Sequence, residues 1–306
     1  MNYWHNTKLK ILNFTHCDMD GAGAGIVIKN YFHDVITESI NYSAENTILQ
    51  KMIKYKDQFD AVIFTDFCPC NLTEVKAFGK PVLVLDHHES AVKYNNPKEF
   101  VYVCPGHCGA KLALTYFNHD DCLKHLTELI EIVNDFDLYL LKDPRSKCFN
   151  SLYWDMGFNW FMNRFYNGDI ELSKAEKAFL VRKQKDFKKH YDQLEISELK
   201  NGGVFCYSEK YISEITDALR NEGYKWVVIY RPGYLSVRSS DDSNINLVEV
   251  AKIVGKGGGH EQAIGIPQEK DQLDALIAKV DDAVDTYLKL KTNPPSDEFM
   301  NKLKGM

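Results

Sequence analysis

The sequence predicts an α/β protein: an N-terminal, mostly parallel sheet flanked by helices, followed by a smaller C-terminal α/β domain. Three observations carry that expectation. Short aliphatic runs alternate with helical patterns through the first half of the chain, several of these runs stop abruptly on polar clusters, and Asn201-Gly202-Gly203 breaks a long helical pattern before the alternation resumes. With 306 residues, 44% of them hydrophobic, the chain has material for two cores.

The first run, Leu9 to Phe14, leads into Thr15-His16-Cys17-Asp18-Met19-Asp20-Gly21, and then Ala22, Gly23, Ala24 and Gly25 precede Ile26-Val27-Ile28. This pattern is a strand, a polar turn and a helix whose glycines permit close packing on the sheet. A strand over 37–42 and a helix over 45–55 are predicted next. Asp60 to Asp66 reads as a buried strand ending on a carboxylate, a helix covers 71–78, and Val82-Leu83-Val84-Leu85 stops on Asp86-His87-His88-Glu89. Alone, that last cluster is as compatible with packing as with a site. Strand ends of a parallel sheet converge along one edge, however, and three of them here end on candidate ligands. An apolar-faced helix (Leu123, Leu126, Leu129, Ile130, Val133) then delivers Asp135 and Asp137 at a helix end whose dipole disfavours carboxylates.

From Cys148 to Tyr166 the chain is dense in rings, including Phe149, Tyr153, Trp154, Trp160, Phe161 and Phe165. Most are expected to pack at a domain junction, leaving one or two to stack on a ligand. Ser173-Lys174-Ala175-Glu176 has the form of a capping box and opens a linking helix with a solvated basic face. After the break, a strand over 204–207, a helix over 212–221, a hairpin from Trp226 to Arg238, a helix over 247–253, a glycine-rich turn at 255–260 and a closing helix over 273–290 are predicted. The expected boundaries are 1–165, a linker over 166–200, and 201–306.

A formal charge of −6 argues against a protein held on long duplex nucleic acid by phosphate neutralisation. No apolar stretch approaches the ~20 residues that span a bilayer, and no secretory pattern is present, so no membrane partner and a cytoplasmic location are expected. The eight cysteines then read as thiols. Neither Cys68-Pro69-Cys70 nor Cys104-Pro105-Gly106-His107-Cys108 has the paired spacing of a structural zinc site.

Five or more carboxylates at converging strand ends repel one another, and two divalent cations would supply the compensation. Mixed Asp and His ligation suits Mn²⁺, with Mg²⁺ or Co²⁺ as alternatives. Two such ions about 3.5–4 Å apart activate a water and clamp the oxygens of a phosphorus centre, which implies phosphoester hydrolysis. A second group of residues fits an anionic substrate: Gly257, Gly258 and Gly259 expose backbone N–H groups, His260 can donate, and Arg238 adds a bidentate donor.

These residues together resemble the DHH family of phosphoesterases. The first motif (His16-x-Asp18-x-Asp20-Gly21), the second (Asp66), the third (Asp86-His87-His88) and a fourth (Asp135, with Asp137 as the alternative) occur in the family's order. The segment Leu235 to Ser239, with Gly257-Gly258-Gly259-His260-Glu261-Gln262-Ala263-Ile264-Gly265, resembles a DHH-associated C-terminal domain. The resemblance implies a two-domain fold with its active site in the cleft between the domains. Asp66 would bridge two Mn²⁺ ions, Asp18 with His16 would hold one, and Asp20, His87 and Asp135 the other. Asp86 would orient a ligand, and His88 would face the scissile phosphate. Many members carry the first-motif histidine four residues before the first aspartate, where this chain has Phe14.

Compact length further resembles the small oligoribonuclease and cyclic-nucleotide phosphodiesterase members. The expected substrate is a very short single-stranded oligonucleotide, or alternatively a cyclic dinucleotide, cyclic mononucleotide or 3′,5′-bisphosphate. A homodimer and a nucleotide sensor without turnover are the further alternatives.

Overall fold

The computed structural model describes residues 3–268 and 272–292 and divides the chain into two compact units, Met1–Leu180 and Val181–Met306. The first unit is built on β1 (Lys10–His16), β2 (Asp34–Ile40), β3 (Ala61–Thr65), β4 (Val82–Asp86) and β5 (Val101–Val103), in the spatial order β2-β1-β3-β4-β5. Each of these pairings is parallel. The sheet is therefore wholly parallel where the sequence predicts mostly parallel.

Its central strands are covered on both faces, which is why they read as near-continuous aliphatic runs. Ile11, Ile63, Leu83 and Leu85 face one core with α1 (Met19–Tyr31), α4 (Gly109–Phe117) and α5 (Thr127–Asp137). Leu12, Phe14, Val62, Phe64 and Val84 face the other with α2 (Ile48–Tyr55) and α3 (Leu72–Ala77).

Register brings the strand ends level. Thr15 pairs with Thr65 and Thr65 with Leu85, so the next residues, His16, Asp66 and Asp86, leave the sheet side by side. They emerge at the carboxyl ends of β1, β3 and β4, where the order reverses between β1 and β3 and open α/β sheets bind their ligands.

Three local expectations shift. The second strand begins at Asp34, three residues before the predicted start, and a tight turn over Tyr42–Thr47 replaces the beginning of the next helix. The aromatic run folds into α6 (Pro144–Met156) and α7 (Phe158–Arg164). Phe149, Tyr153, Phe161 and Phe165 are buried in the first unit's own core, with Phe149 and Phe165 stacked at 4.7 Å, whereas Trp154 is 65% exposed.

Helix α8 (Lys174–Tyr191) carries the predicted capping box. Glu176 N–H donates to Ser173 Oγ at 3.2 Å and Ser173 N–H to Glu176 Oε2 at 2.6 Å, while Arg164 Nε donates to the other oxygen of Glu176 at 2.7 Å.

In the second unit, β6 (Ile196–Leu199), β7 (Gly203–Tyr207), β8 (Trp226–Arg231), β9 (Tyr234–Ser239), β10 (Gly258–His260) and β11 (Ala263–Pro267) form one sheet in the order β10-β11-β9-β8-β7-β6. Of these neighbours, β7 and β8 run parallel and the others antiparallel. Trp226, Val228 and Val237 pack against α10 (Leu247–Val254) and α11 (Leu273–Thr292); Val227 and Ile229 pack against α9 (Ile212–Asn221). Gly203 is required where β7 meets β8, because a Cβ there would fall 2.2 Å from the Trp226 indole.

Removing the cap hydroxyl in Ser173→Ala is expected to cost about 1 kcal/mol of stability, with Ser173→Asp restoring most of it. Urea unfolding midpoints of the two variants check this.

Candidate functional site

Asp18 is the N-cap of α1, in extended backbone, and its Oδ1 accepts the Gly21 N–H at 2.9 Å. Its Oδ2 lies 2.7 Å from His16 Nδ1. The turn demands glycine at 21, since a Cβ there would come within 1.9 Å of the His16 carbonyl oxygen. Two residues along, the buried Asp20 spends both oxygens on the start of α4, accepting from the N–H of Gly109 at 2.6 Å and of Ala110 at 2.8 Å. The first amides of a helix have no partner within it, and these two find theirs in Asp20.

Asp66, just past β3, adopts φ 54, a left-handed conformation uncommon outside glycine. Gly109 makes room for it: a Cβ at 109 would lie 2.5 Å from the Asp66 Cβ. Asp66 Oδ1 is 3.1 Å from His87 Nε2, and Oδ2 is 3.9 Å from His16 Nδ1. His87 Nε2 is also 3.7 Å from Asp20 Oδ2 and 3.5 Å from Asp137 Oδ2.

Asp86 does a different job. Its Oδ1 accepts the His87 N–H at 2.8 Å and meets His88 Nδ1 at 2.8 Å, so it fixes the loop and the second imidazole.

Three ligand sets result, each with donor atoms within 4.8 Å of one another: His16, Asp18 and Asp66; Asp20, His87 and Asp137; and Asp66, His87 and His88. Of the fourth-motif pair, Asp135 with Asp137 as the alternative, Asp137 is the one that lies in a ligand set. Asp135 lies outside these sets and closes the turn after α5, its oxygens accepting from Lys142 N–H at 2.9 Å and Asp143 N–H at 3.1 Å. Two residues along a helix is about 200° of rotation, so only one of the pair can point into the cluster, and that one is Asp137.

The charges are unevenly settled. Burial, then Asp20, Asp18 and Asp137, push the Asp66 carboxyl well above the usual carboxylate range. Burial, then Asp20 and Asp18, do the same to Asp137. For Asp18, burial acts upward, but hydrogen bonding to His16 and the Gly21 N–H outweighs it and holds the carboxyl low. Burial lowers His87; His88 is raised, because hydrogen bonding to Asp86 and that carboxylate's charge outweigh the cost of burial.

Among the described residues, Asp66 Oδ2 and Asp137 Oδ2 are buried without a hydrogen-bond partner, one beside His16 and the other beside His87. Orphaned oxygens among imidazoles and further carboxylates are the donor set of a divalent-cation site.

In the second unit the glycine-rich turn is part of a hairpin. Gly258 pairs with Gly265 and His260 with Ala263, and Ala263 pairs in turn with Arg238 on β9. Gly257 and Gly259 take φ 92 and 148, and a Cβ at either would fall 2.7 and 2.2 Å from carbonyl oxygens of β11. These two glycines are therefore required by strand packing. Arg238 Nη1 donates to the Val237 carbonyl at 3.2 Å. The His260 side chain lies outside the described residues.

Two residues escaped the sequence reading. Gly109 was legible only as a small residue opening an apolar helix. Tyr42, whose hydroxyl is 3.1 Å from His88 Nε2, is predicted as the last residue of a strand and instead opens the turn that follows it.

Separate losses are expected from the two neighbouring aspartates. Asp137→Asn should weaken Mn²⁺ binding at least about 10-fold without loss of stability, whereas Asp135→Asn should retain the metal and lose about 1–2 kcal/mol. Calorimetric titration and urea melts distinguish them. The raised Asp66 gives a pH signature. A folded carboxyl that holds its proton above the ordinary Asp value of about 3.9 contributes stability below that value and loses it as pH rises toward the folded pKa. In EDTA, Asp66→Asn should therefore be more stable than the native chain by a margin that widens in urea melts as pH rises above the ordinary Asp value, and Mn²⁺ should stabilise the native chain more than the variant.

Comparison with known proteins is consistent with this geometry. Residues 10–134 match the DHH family N-terminal domain and residues 204–286 the DHHA1 domain. The oligoribonuclease NrnB of Bacillus subtilis (strain 168) is 24% identical over 87% of this chain and 75% of its own length. Among solved structures, RecJ from Thermus thermophilus in complex with Mn²⁺ is similar with TM-score 0.61 at 14% identity, over 92% of this chain and 53% of RecJ. The pGpG-specific phosphodiesterase PggH from Vibrio cholerae is similar with TM-score 0.59 at 14% identity, over 90% of this chain and 99% of PggH. With the two domain matches in family order, the chain belongs to the DHH family of phosphoesterases, hydrolases that act on phosphodiester bonds.

Proposed function

We propose that the chain is a two-Mn²⁺ phosphodiesterase that degrades very short single-stranded oligonucleotides to mononucleotides in the cytoplasm. The observation that carries the proposal is Asp66, whose two oxygens face two separate ligand sets, His16 with Asp18 and His87 with Asp20 and Asp137.

When bound, the cations lower the pKa of a water and neutralise the phosphate oxygens. The remaining work falls to side chains. His16, Asp18 and Asp66 would hold one ion, and Asp20, His87 and Asp137, with the other oxygen of Asp66 beside His87, would hold the second. Asp86 holds His88 Nδ1 and so turns Nε2, beside the Tyr42 hydroxyl, toward a phosphate oxygen, where it donates to the leaving oxygen when the imidazole is protonated. Arg238, the N–H groups of Gly257, Gly258 and Gly259, and His260 are proposed to bind the substrate's anionic or base groups.

Two similarities support the choice of a short substrate. NrnB is by name an oligoribonuclease, and PggH acts on pGpG, a linear dinucleotide. A linear dinucleotide is therefore preferred to a cyclic one as the first compound to test.

With Mn²⁺, the protein is expected to convert 5′-labelled pApA to AMP, and Asp66→Asn should lower the rate by about a thousandfold or more, because it removes a carboxylate shared by both ions. Product identity by mass spectrometry checks this. An intact dinucleotide after prolonged incubation, or equal rates in the variant, would overturn the proposal.

A further inference from the structure

We infer that Tyr42 is a positioning residue for phosphodiester cleavage, acting through His88; this rests on the phosphodiesterase reading above. Tyr42 opens the turn after β2, and its hydroxyl lies 3.1 Å from His88 Nε2. Asp86 already holds the other nitrogen at 2.8 Å. His88 is thus gripped from both ends, by a carboxylate at Nδ1 and a phenol at Nε2.

The chemistry of the two grips differs. Asp86 Oδ1 already accepts the His87 N–H, so it meets Nδ1 as an acceptor and favours the tautomer with its proton there. A phenol can donate to a neutral Nε2 or accept from a protonated one, so Tyr42 holds the ring in the same plane whichever state His88 is in. A phosphate oxygen that approaches Nε2 beside the Tyr42 hydroxyl finds the imidazole already aimed, and the phenol keeps its hold on the ring while the bond breaks.

The ring of Tyr42 is itself fixed. It lies 4.9 Å from the His16 ring and 5.4 Å from the Phe67 ring, centroid to centroid, and meets His88 edge-on at 5.9 Å. Packing aims the hydroxyl, and the residue nevertheless remains 48% exposed, open to an arriving substrate. Substitution by phenylalanine keeps these ring contacts and removes only the grip on Nε2.

The test uses pApA with Mn²⁺ and four proteins: native, Tyr42→Phe, His88→Asn and the double variant. Tyr42→Phe is expected to lower kcat roughly tenfold while KM and Mn²⁺ affinity stay within about twofold. In the His88→Asn background the same change should have no further effect, which is the signature of a residue that works through His88. An equal loss in both backgrounds, an unchanged kcat, or a fall in Mn²⁺ affinity that accounts for the lost rate would each overturn the inference.

Should the native protein leave pApA intact, the phosphodiesterase reading fails by itself. Tyr42 is then judged by ¹⁵N NMR of the imidazole. A shift of the His88 Nε2 resonance in Tyr42→Phe supports the grip, and an unmoved resonance overturns it.

Discussion

The centre of the cluster depends on one contact without a side chain. Asp66 turns out of β3 in a left-handed conformation, and its Cα and Cβ occupy the space a Cβ at Gly109 would need. The same glycine gives its N–H to Asp20. One residue thus admits the carboxylate shared by the ligand sets and anchors another. Backbone strain of this kind costs about 1–3 kcal/mol and persists only where the surroundings over-determine it. Here β3 on one side and the start of α4 on the other leave Asp66 no alternative path.

Around that contact the carboxylates divide into two kinds. Asp18, Asp20 and Asp86 have their charge answered by protein donors: His16 and the Gly21 N–H, the first amides of α4, and the N–H groups and imidazole of the DHH loop. Asp66 and Asp137 each retain a buried oxygen to which no group among the described residues donates. The answered group builds a rigid frame, and the unanswered pair supplies the unmet demand that a cation satisfies. A cluster balanced throughout would fold more easily and have less reason to bind metal.

Much of this was legible because each signal was local. Aliphatic runs buried on two faces mark β1, β3 and β4, and their register brings His16, Asp66 and Asp86 level without any further information. The capping box at Ser173 is a four-residue signal and folds as such. The misses arise where geometry depends on distant chain. β10 and β11 are short and glycine-rich, so the pattern reads as a loop, and only their antiparallel pairing makes them strands. β6 is short and largely exposed, with no apolar alternation to detect. Asp135 and Asp137 differ only in helical phase, and that phase is set by how α5 docks on the first core. Tyr42 is placed by a turn that composition does not distinguish from a helix start.

The glycine-rich hairpin has a practical implication. Its outer two glycines are committed to β11, but a Cβ at Gly258 meets no described atom within 4 Å and the position needs no left-handed backbone. A side chain introduced at that position leaves the pairing on either side undisturbed, so the hairpin's fold and its proposed hold on the substrate can be varied separately, with every residue of the carboxylate cluster in its native form.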